Sequence, residues 1–389
     1  MKKVGIVSCY FKNNYGSMLQ AYATKKILDN NNIPNETINV DNNIDFKNGK
    51  RKYYLSQIFN FGFIKSKFGM IKLKLDKKIV KDLGKNINTR DKKYKEFRKE
   101  FNLSKACPDY KSLNEMAKEK YSDVIVGSDQ LWLPVNVVAD YYTLNWVPDD
   151  VNKISYATSF GISTIPDKYT KLYKKFLKRI NNLSVREESG KKILDKYQIN
   201  SKVVCDPTIL LTKEEWEEVS TKERIIKDKY ILCYFLGSNI EHRKFAERLR
   251  DKTGYKIVSL NHADEYVKYS DEFADIIPYD VGPKEWLNLV KNAEYVCTDS
   301  FHGTVFSLIF NKIFFNFRRY NPKNKNNTNS RLDSLLNIAG ISNERILTGL
   351  EDVDKVLKFK IDYKKVNNNI NKFREESKNW LLESIRGEK

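Results

Sequence analysis

Histidine is scarce in this chain, and one of its three copies stands where acid–base chemistry is feasible. The segment TDSFHGTVFSLIF at 298–310 leaves an apolar run, YVC, and passes through Thr298, Asp299, Ser300, Phe301, His302 and Gly303. It then enters an apolar helical pattern directly. A strand-to-helix junction of this kind presents unpaired backbone N–H groups and the positive end of a helix dipole, which together favour an anion. His302 would serve there as proton donor or phosphate ligand, because an imidazole changes charge near neutral pH. The plainer alternative is that Asp299 or Ser300 merely caps the helix and His302 is a core histidine.

Four other clusters carry candidate residues, three of them past an apolar run and one near a helix start. LSVREESG at 183–190 sets Arg186 where a guanidinium grips a carboxylate or phosphate through two parallel bonds, or else pairs with Glu187 or Glu188. GSDQLW at 127–132 offers Asp129 as a general base, with capping by Ser128 or Asp129 as its structural counterpart. NNYGS at 13–17 carries Asn14 and Gly16 in a turn leading into a helix. One glycine falls far short of a dinucleotide fingerprint, so Gly16 reads as a point of close approach. SRLDSLL at 330–336 puts Arg331 near a helix start, as a ligand or as a surface arginine.

The elements that must position these residues follow from periodicity. Apolar, strand-like runs occur at Val4–Cys9, Thr37–Val40, Asp123–Val126, Lys153–Thr158, Asn182–Val185 and Lys202–Cys205, with helical spacing at Ser17–Asn30, 166–181 and 188–197. A second series runs through Tyr230–Leu236, Lys256–Ser259, Ala293–Thr298 and Ile313–Phe317, separated by helical segments at 240–252, 283–292 and 302–311. Strands alternating with helices predict parallel sheets, and 389 residues exceed the roughly 250–300 at which one core stops growing. The expectation is therefore two α/β domains facing a cleft. The first spans 1–210 with a basic helical insertion at about 45–118. A helical connector follows at 211–228, then a second domain at 229–350 and a helical segment at 351–389 packing back on the first domain. In such folds ligands bind outside the C-terminal strand ends, where four of the five clusters fall.

Charge narrows the partners. The chain has 70 basic and 50 acidic residues, and between Lys47 and Glu100 there are 18 Lys or Arg against 5 Asp or Glu. Such a stretch attracts nucleic acid, an anionic membrane or a phosphorylated substrate, unless it is only a solvated helical face. No nucleic-acid module is visible, and that reading leaves the strand-end clusters without a purpose. A membrane-surface role falls to residues 53–75. Five scattered cysteines without CxxC spacing and three dispersed histidines argue for reduced thiols and against a metal centre. The opening MKKVGIVSCYFKNNYG lacks the apolar length and cleavage site of a signal peptide, and no run approaches the roughly 20 apolar residues of a spanning helix. A cytoplasmic protein is expected, held at the inner face of the cell membrane if the basic stretch binds lipid. Nothing in the sequence speaks to its oligomeric state.

Taken in order, NNYGSMLQAYA, VGSDQLW, SYATSFG, SVREESGKKIL, VCDPT, TDSFHGTVFSLIFNKIFFNF and SRLDSLL resemble the polysaccharide pyruvyl transferase family, from Lys3 to about Leu336. The resemblance implies two Rossmann-like domains of the GT-B type. It also implies transfer of a pyruvyl group from phosphoenolpyruvate to two hydroxyls of a sugar, on a cell-surface polysaccharide or its lipid-linked precursor. The product is a cyclic ketal, phosphate is released, and no cofactor or metal is needed. His302 and Arg186 match the family's donor-binding histidine and first-domain arginine. Where some members carry an arginine two residues before the histidine, this chain has Ser300. Arg331, Arg318, a lysine or a different donor would have to make good that cation. The competing enzyme reading is a GT-B glycosyltransferase with a nucleotide-sugar donor.

Overall fold

Runs of four to seven apolar residues cannot bury both faces alone, and here they stack into two sheets covered by helices. The computed structural model describes residues 2–57, 72–73, 75–261, 266–319, 330–342 and 345–387. The first sheet comprises β1 (Lys3–Val7), β2 (Asn35–Thr37), β3 (Tyr121–Val126), β4 (Asn152–Thr158), β5 (Asn182–Val185) and β6 (Lys202–Val203), in the order β2-β1-β3-β4-β5-β6. The second comprises β7 (Tyr230–Tyr234), β8 (Lys256–Ser259), β9 (Tyr295–Thr298), β10 (Ile313–Phe317) and β11 (Ile346–Leu347), in the order β11-β10-β9-β7-β8. Every pairing is parallel. All five residues of β7 are buried, as expected of strands covered on both faces. These are two Rossmann-like domains.

In each sheet the strand order reverses beside the opening strand: between β1 and β3 in the first, between β7 and β9 in the second. Reversal leaves a crevice at the carboxyl ends, because the flanking connections depart to opposite faces. The chain leaves these ends at 8–17, 127–130, 236–237 and 299–302, which take in three of the five clusters singled out above.

Two devices tie the domains together. The basic insertion is helical where described, at Ile44–Leu55, Leu83–Phe97 and Tyr110–Lys120. Its Leu83–Phe97 helix crosses to the second domain, where Arg90 donates to the Asn261 carbonyl and Lys93 pairs with Glu285 at 2.9 Å. Beside it, Tyr15 stacks on Trp286 with ring centroids 5.6 Å apart. The C-terminal helix, Tyr363–Arg386, packs on the Ser330–Ala339 helix through Asn369, which donates to the Ala339 carbonyl. It then runs back over the first domain: Ser377 Oγ accepts from the Cys205 amide at 2.9 Å, and the Ser384 carbonyl accepts from Asn152 at 3.0 Å.

Three elements differ from the sequence reading. The second strand lies two residues earlier, because Ile38 and Asn39 give their amides to Ile6 and to Ser104 Oγ rather than to a regular ladder. The connector is helical only over Lys213–Val219; beyond Ser220 the Asn288 side chain takes up the carbonyls of Thr221 and Glu223, each at 2.8 Å. β11 has two residues, too few to leave a periodic signal. Most of the 53–75 segment lies outside the described residues, and no described helix is long and apolar enough to cross a membrane.

Candidate functional site

The two reversal points open onto one cleft of about 810 Å³. Lys12, Asn13, Asn14, Ser17, Asp129 and Gln130 line it from the first domain, and Leu236, Ser300, Phe301, His302, Arg319 and Arg331 from the second. Tyr54, Leu73 and Lys77 of the insertion form a third wall.

His302 reaches across the gap. It is the second residue of the Phe301–Ile309 helix, and its imidazole rests on the first turn of the Tyr15–Asn30 helix. A Cβ at Gly16 would lie 2.0 Å from His302 Nδ1, so only glycine leaves room for the ring. Gly16 is thus the point of close approach expected, and what approaches is the histidine. On the other side His302 Nε2 stands 3.6 Å from Asp206 Oδ2, an ion-pair distance beyond hydrogen-bond length.

Asp206 is the hub of this cluster. Its Oδ2 also accepts from Arg186 Nη1 and Ser128 Oγ, both at 2.8 Å, while Oδ1 caps the next helix through the Thr208 amide at 3.0 Å. Burial opposes its ionisation, but His302 and Arg186 outweigh that and hold the carboxyl well below the usual carboxylate range. Arg186 and His302, 116 positions apart, do converge, through one carboxylate between them. Arg186 itself lies behind the cleft wall at 4% exposure, bonded to Asp206 and near Glu187 at 3.5 Å. Its guanidinium sits 4.4 Å from the centroid of the Phe301 ring, whose surroundings also include the Arg331 guanidinium at 6.0 Å. Only Nη2 of Arg186 lacks a hydrogen bond. Arg186 does not line the cleft; the cations that do are Lys12, Lys77, Arg319 and Arg331.

Asp129 faces the cleft from a backbone with φ of +83°, a region most side chains avoid and Asp tolerates. Its Oδ2 accepts from Ser17 Oγ at 2.5 Å and from the Cys9 thiol at 3.2 Å. Burial would raise its pKa, yet Lys12, then Arg186 and His302, depress it well below the ordinary range. Such a carboxylate accepts hydrogen bonds firmly and takes protons poorly. Arg331 is pulled down to about 10, first by burial and then by Arg186, and remains charged at neutral pH.

The other residues singled out have structural duties. Asn14 caps its helix by accepting from Ser17 N at 3.0 Å, and Ser300 caps its own by accepting from Gly303 N at 3.3 Å; both side chains still line the cleft. Asp299 turns away: its oxygens hold the amides of Leu236 and Gly237 at 2.6 and 2.8 Å, tying β9 to β7, and Arg319 stands 3.7 Å off. Gly303 packs on Thr298, whose Oγ1 would lie 2.4 Å from any added Cβ. Neither is among the residues lining the cleft. Arg318 pairs with Asp333 at 3.0 Å, away from the cleft. Sequence reasoning missed Asp206, which reads as an Asp-Pro helix cap, and also Lys12, Lys77 and Arg319, which had no pattern to set them apart. All five cysteines are buried and free, and no described group of three or more His, Cys, Asp or Glu is placed to hold a metal ion.

A sequence profile of the polysaccharide pyruvyl transferase family matches residues 14–320. The chain belongs to that family. The matched span runs from the Asn14 cap to just past Arg319 and includes every cleft-lining residue except Lys12, Asn13 and Arg331. The fold is shared with the UDP-GlcNAc 2-epimerase of Neisseria meningitidis, solved bound to UDP-GlcNAc, at 12% identity and a TM-score of 0.53 with all of both chains covered. A Listeria monocytogenes structure of the same designation gives 9% identity and a TM-score of 0.50, covering 96% of this chain and 91% of that one. At such identities the likeness is one of fold, the GT-B arrangement. Comparison with curated proteins finds no significant match.

Proposed function

We propose that this pyruvyl transferase uses phosphoenolpyruvate as donor and a sugar of a surface polysaccharide, or its lipid-linked precursor, as acceptor, and forms a pyruvate ketal. The observation that carries the reading is the gathering of Arg331, Arg319 and Lys12 around His302 in a single cleft. Like charges at close quarters are costly, and Arg186 already depresses its neighbour Arg331. A small trianion relieves that cost in a way a neutral ligand cannot.

In this scheme Arg331 and Arg319 hold the donor's carboxylate and phosphate in place of the arginine that Ser300 replaces. His302 delivers a proton to the methylene carbon as the first sugar hydroxyl adds to C2, and the neutral imidazole then takes that hydroxyl's proton. The C2–O bond to phosphate breaks, the second hydroxyl adds, and its proton leaves with the phosphate. Two hydroxyl protons are thus balanced by one new C–H bond and one proton on phosphate. Asp129, too weakly basic to be the final acceptor, orients the hydroxyl through a hydrogen bond. Asp206 and Arg186 hold His302 in register. The basic insertion, with Lys77 and Tyr54 on the cleft wall, would face a phosphorylated acceptor and an anionic membrane beneath it.

Incubation with phosphoenolpyruvate and a set of lipid-linked sugars should yield an acceptor carrying the added pyruvate mass, with equimolar phosphate release. Phosphate release without any modified acceptor would count against transfer. The competing reading, a nucleotide-sugar glycosyltransferase, draws on the fold shared with an epimerase solved with UDP-GlcNAc. Thermal stabilisation by UDP but not by phosphoenolpyruvate would favour it.

A further inference from the structure

Away from the cleft, the second domain buries an arginine whose two terminal nitrogens find no hydrogen-bond partner among the described residues. Arg345 is 5% exposed, and its Nη1 and Nη2 meet no acceptor among the described residues. The other three arginines so deeply buried each donate to a carbonyl or a carboxylate: Arg90 to Asn261, Arg186 to Asp206 and Arg243 to Gly237. Tyr363, its polar neighbour, donates its hydroxyl to the Lys312 carbonyl and accepts from neither Nη1 nor Nη2. Burial accordingly lowers the Arg345 pKa. Leaving a buried guanidinium's terminal N–H groups unmade is costly, and a bound ion is one of the ways such groups are satisfied.

Arg345 lines a cavity of about 300 Å³ between the end of the Ser330–Ala339 helix and the start of the Tyr363–Arg386 helix. Lys360 and Lys365 stand at its exposed rim, and the N-terminal turn of the 24-residue helix opens onto it. Among the described lining residues Asp362 alone is acidic, and its Oδ1 caps that helix through the Lys365 amide at 3.2 Å. Three cations against one engaged carboxylate, with a helix dipole behind them, make an anion-attracting pocket.

We propose that this cavity is a second binding site, for a small oxyanion of the phosphate class, with Arg345 as its buried anchor and Lys360 and Lys365 as its rim. The site is separate from the cleft and does not rest on the reaction assigned there. It meets the cleft only through the Ser330–Ala339 helix, which bears Arg331 at its other end.

Thermal unfolding of the full chain in rising inorganic phosphate, at constant ionic strength, tests it. Wild type should gain several degrees. R345M should lose the gain contributed by this site while unfolding in buffer no earlier than wild type, since the change removes an uncompensated charge. K365E, on the surface, should fold normally and weaken the phosphate response severalfold. R331M, which alters the cleft, should retain it. Sedimentation with phosphatidylglycerol vesicles distinguishes the source: loss of sedimentation alone in R345M assigns the oxyanion to a lipid headgroup, and loss of the phosphate response assigns it to a free anion. Either supports the site. A phosphate response and sedimentation unchanged in both R345M and K365E would overturn it.

Discussion

His302 and Asp206 carry the account at the scale of single residues. H302Q should keep the fold and the affinity for phosphoenolpyruvate while turnover falls by about 10²–10⁴-fold, the usual worth of a positioned acid–base group; phosphate release under saturating donor measures it. D206N leaves Arg186 buried against an uncharged amide and should destabilise the protein by about 3–5 kcal/mol in denaturant titration. The pH dependence follows from the depressed carboxyl. A group whose folded pKa lies below its unfolded value of about 3.9 stabilises fully above that value and loses its contribution as pH falls towards the folded one. Wild-type unfolding midpoints should therefore drop steeply below about pH 4. D206N should drop less, retaining the part due to Asp129 and to the other carboxyls shifted in the same direction, Asp109, Asp149 and Glu351. His302 was legible because a histidine directly after a strand end is uncommon. Asp206 was not, because one of its oxygens does what any Asp before Pro does, and only the fold reveals the second.

Among the elements, the strand-to-helix junction at 298–303 shows why alternative readings of a motif need not compete. Ser300 caps the helix as the plainer reading held, and the same cap fixes the angle at which His302 leaves the second domain. Gly303 sets the depth of that helix on β9. Alanine at this helical position would gain about 0.5–1 kcal/mol of backbone propensity, but its Cβ would press on Thr298 Oγ1 at 2.4 Å. Overpacking of this kind costs about 1–3 kcal/mol, so G303A should lower the denaturant midpoint rather than raise it. Most elements were legible because buried parallel strands are continuous apolar runs and their helices carry an apolar face. Apart from the two-residue β11, the exceptions were those whose backbone is satisfied by distant side chains. Ser104 and Asn288 hold the chain after β2 and after the Lys213–Val219 helix, and nothing local announces them.

For the molecule as a whole, the two reversal points, the insertion and the returning C-terminal helix fix the domains around one cleft that gathers Lys12, Arg319 and Arg331 at its surface. The sequence indicated a cleft and an anion. It could not indicate that Arg186 stands behind the wall, since its partners Asp206 and Phe301 lie 20 and 115 positions away. The central claim is that Arg331, Arg319 and Lys12, beside His302, hold phosphoenolpyruvate. Calorimetric titration of the donor into wild type and R331M tests it most directly. Saturable binding in wild type that weakens at least tenfold in R331M, with UDP giving no heat, is the predicted result. Binding of UDP in place of phosphoenolpyruvate, or equal donor affinity in both proteins, would contradict it.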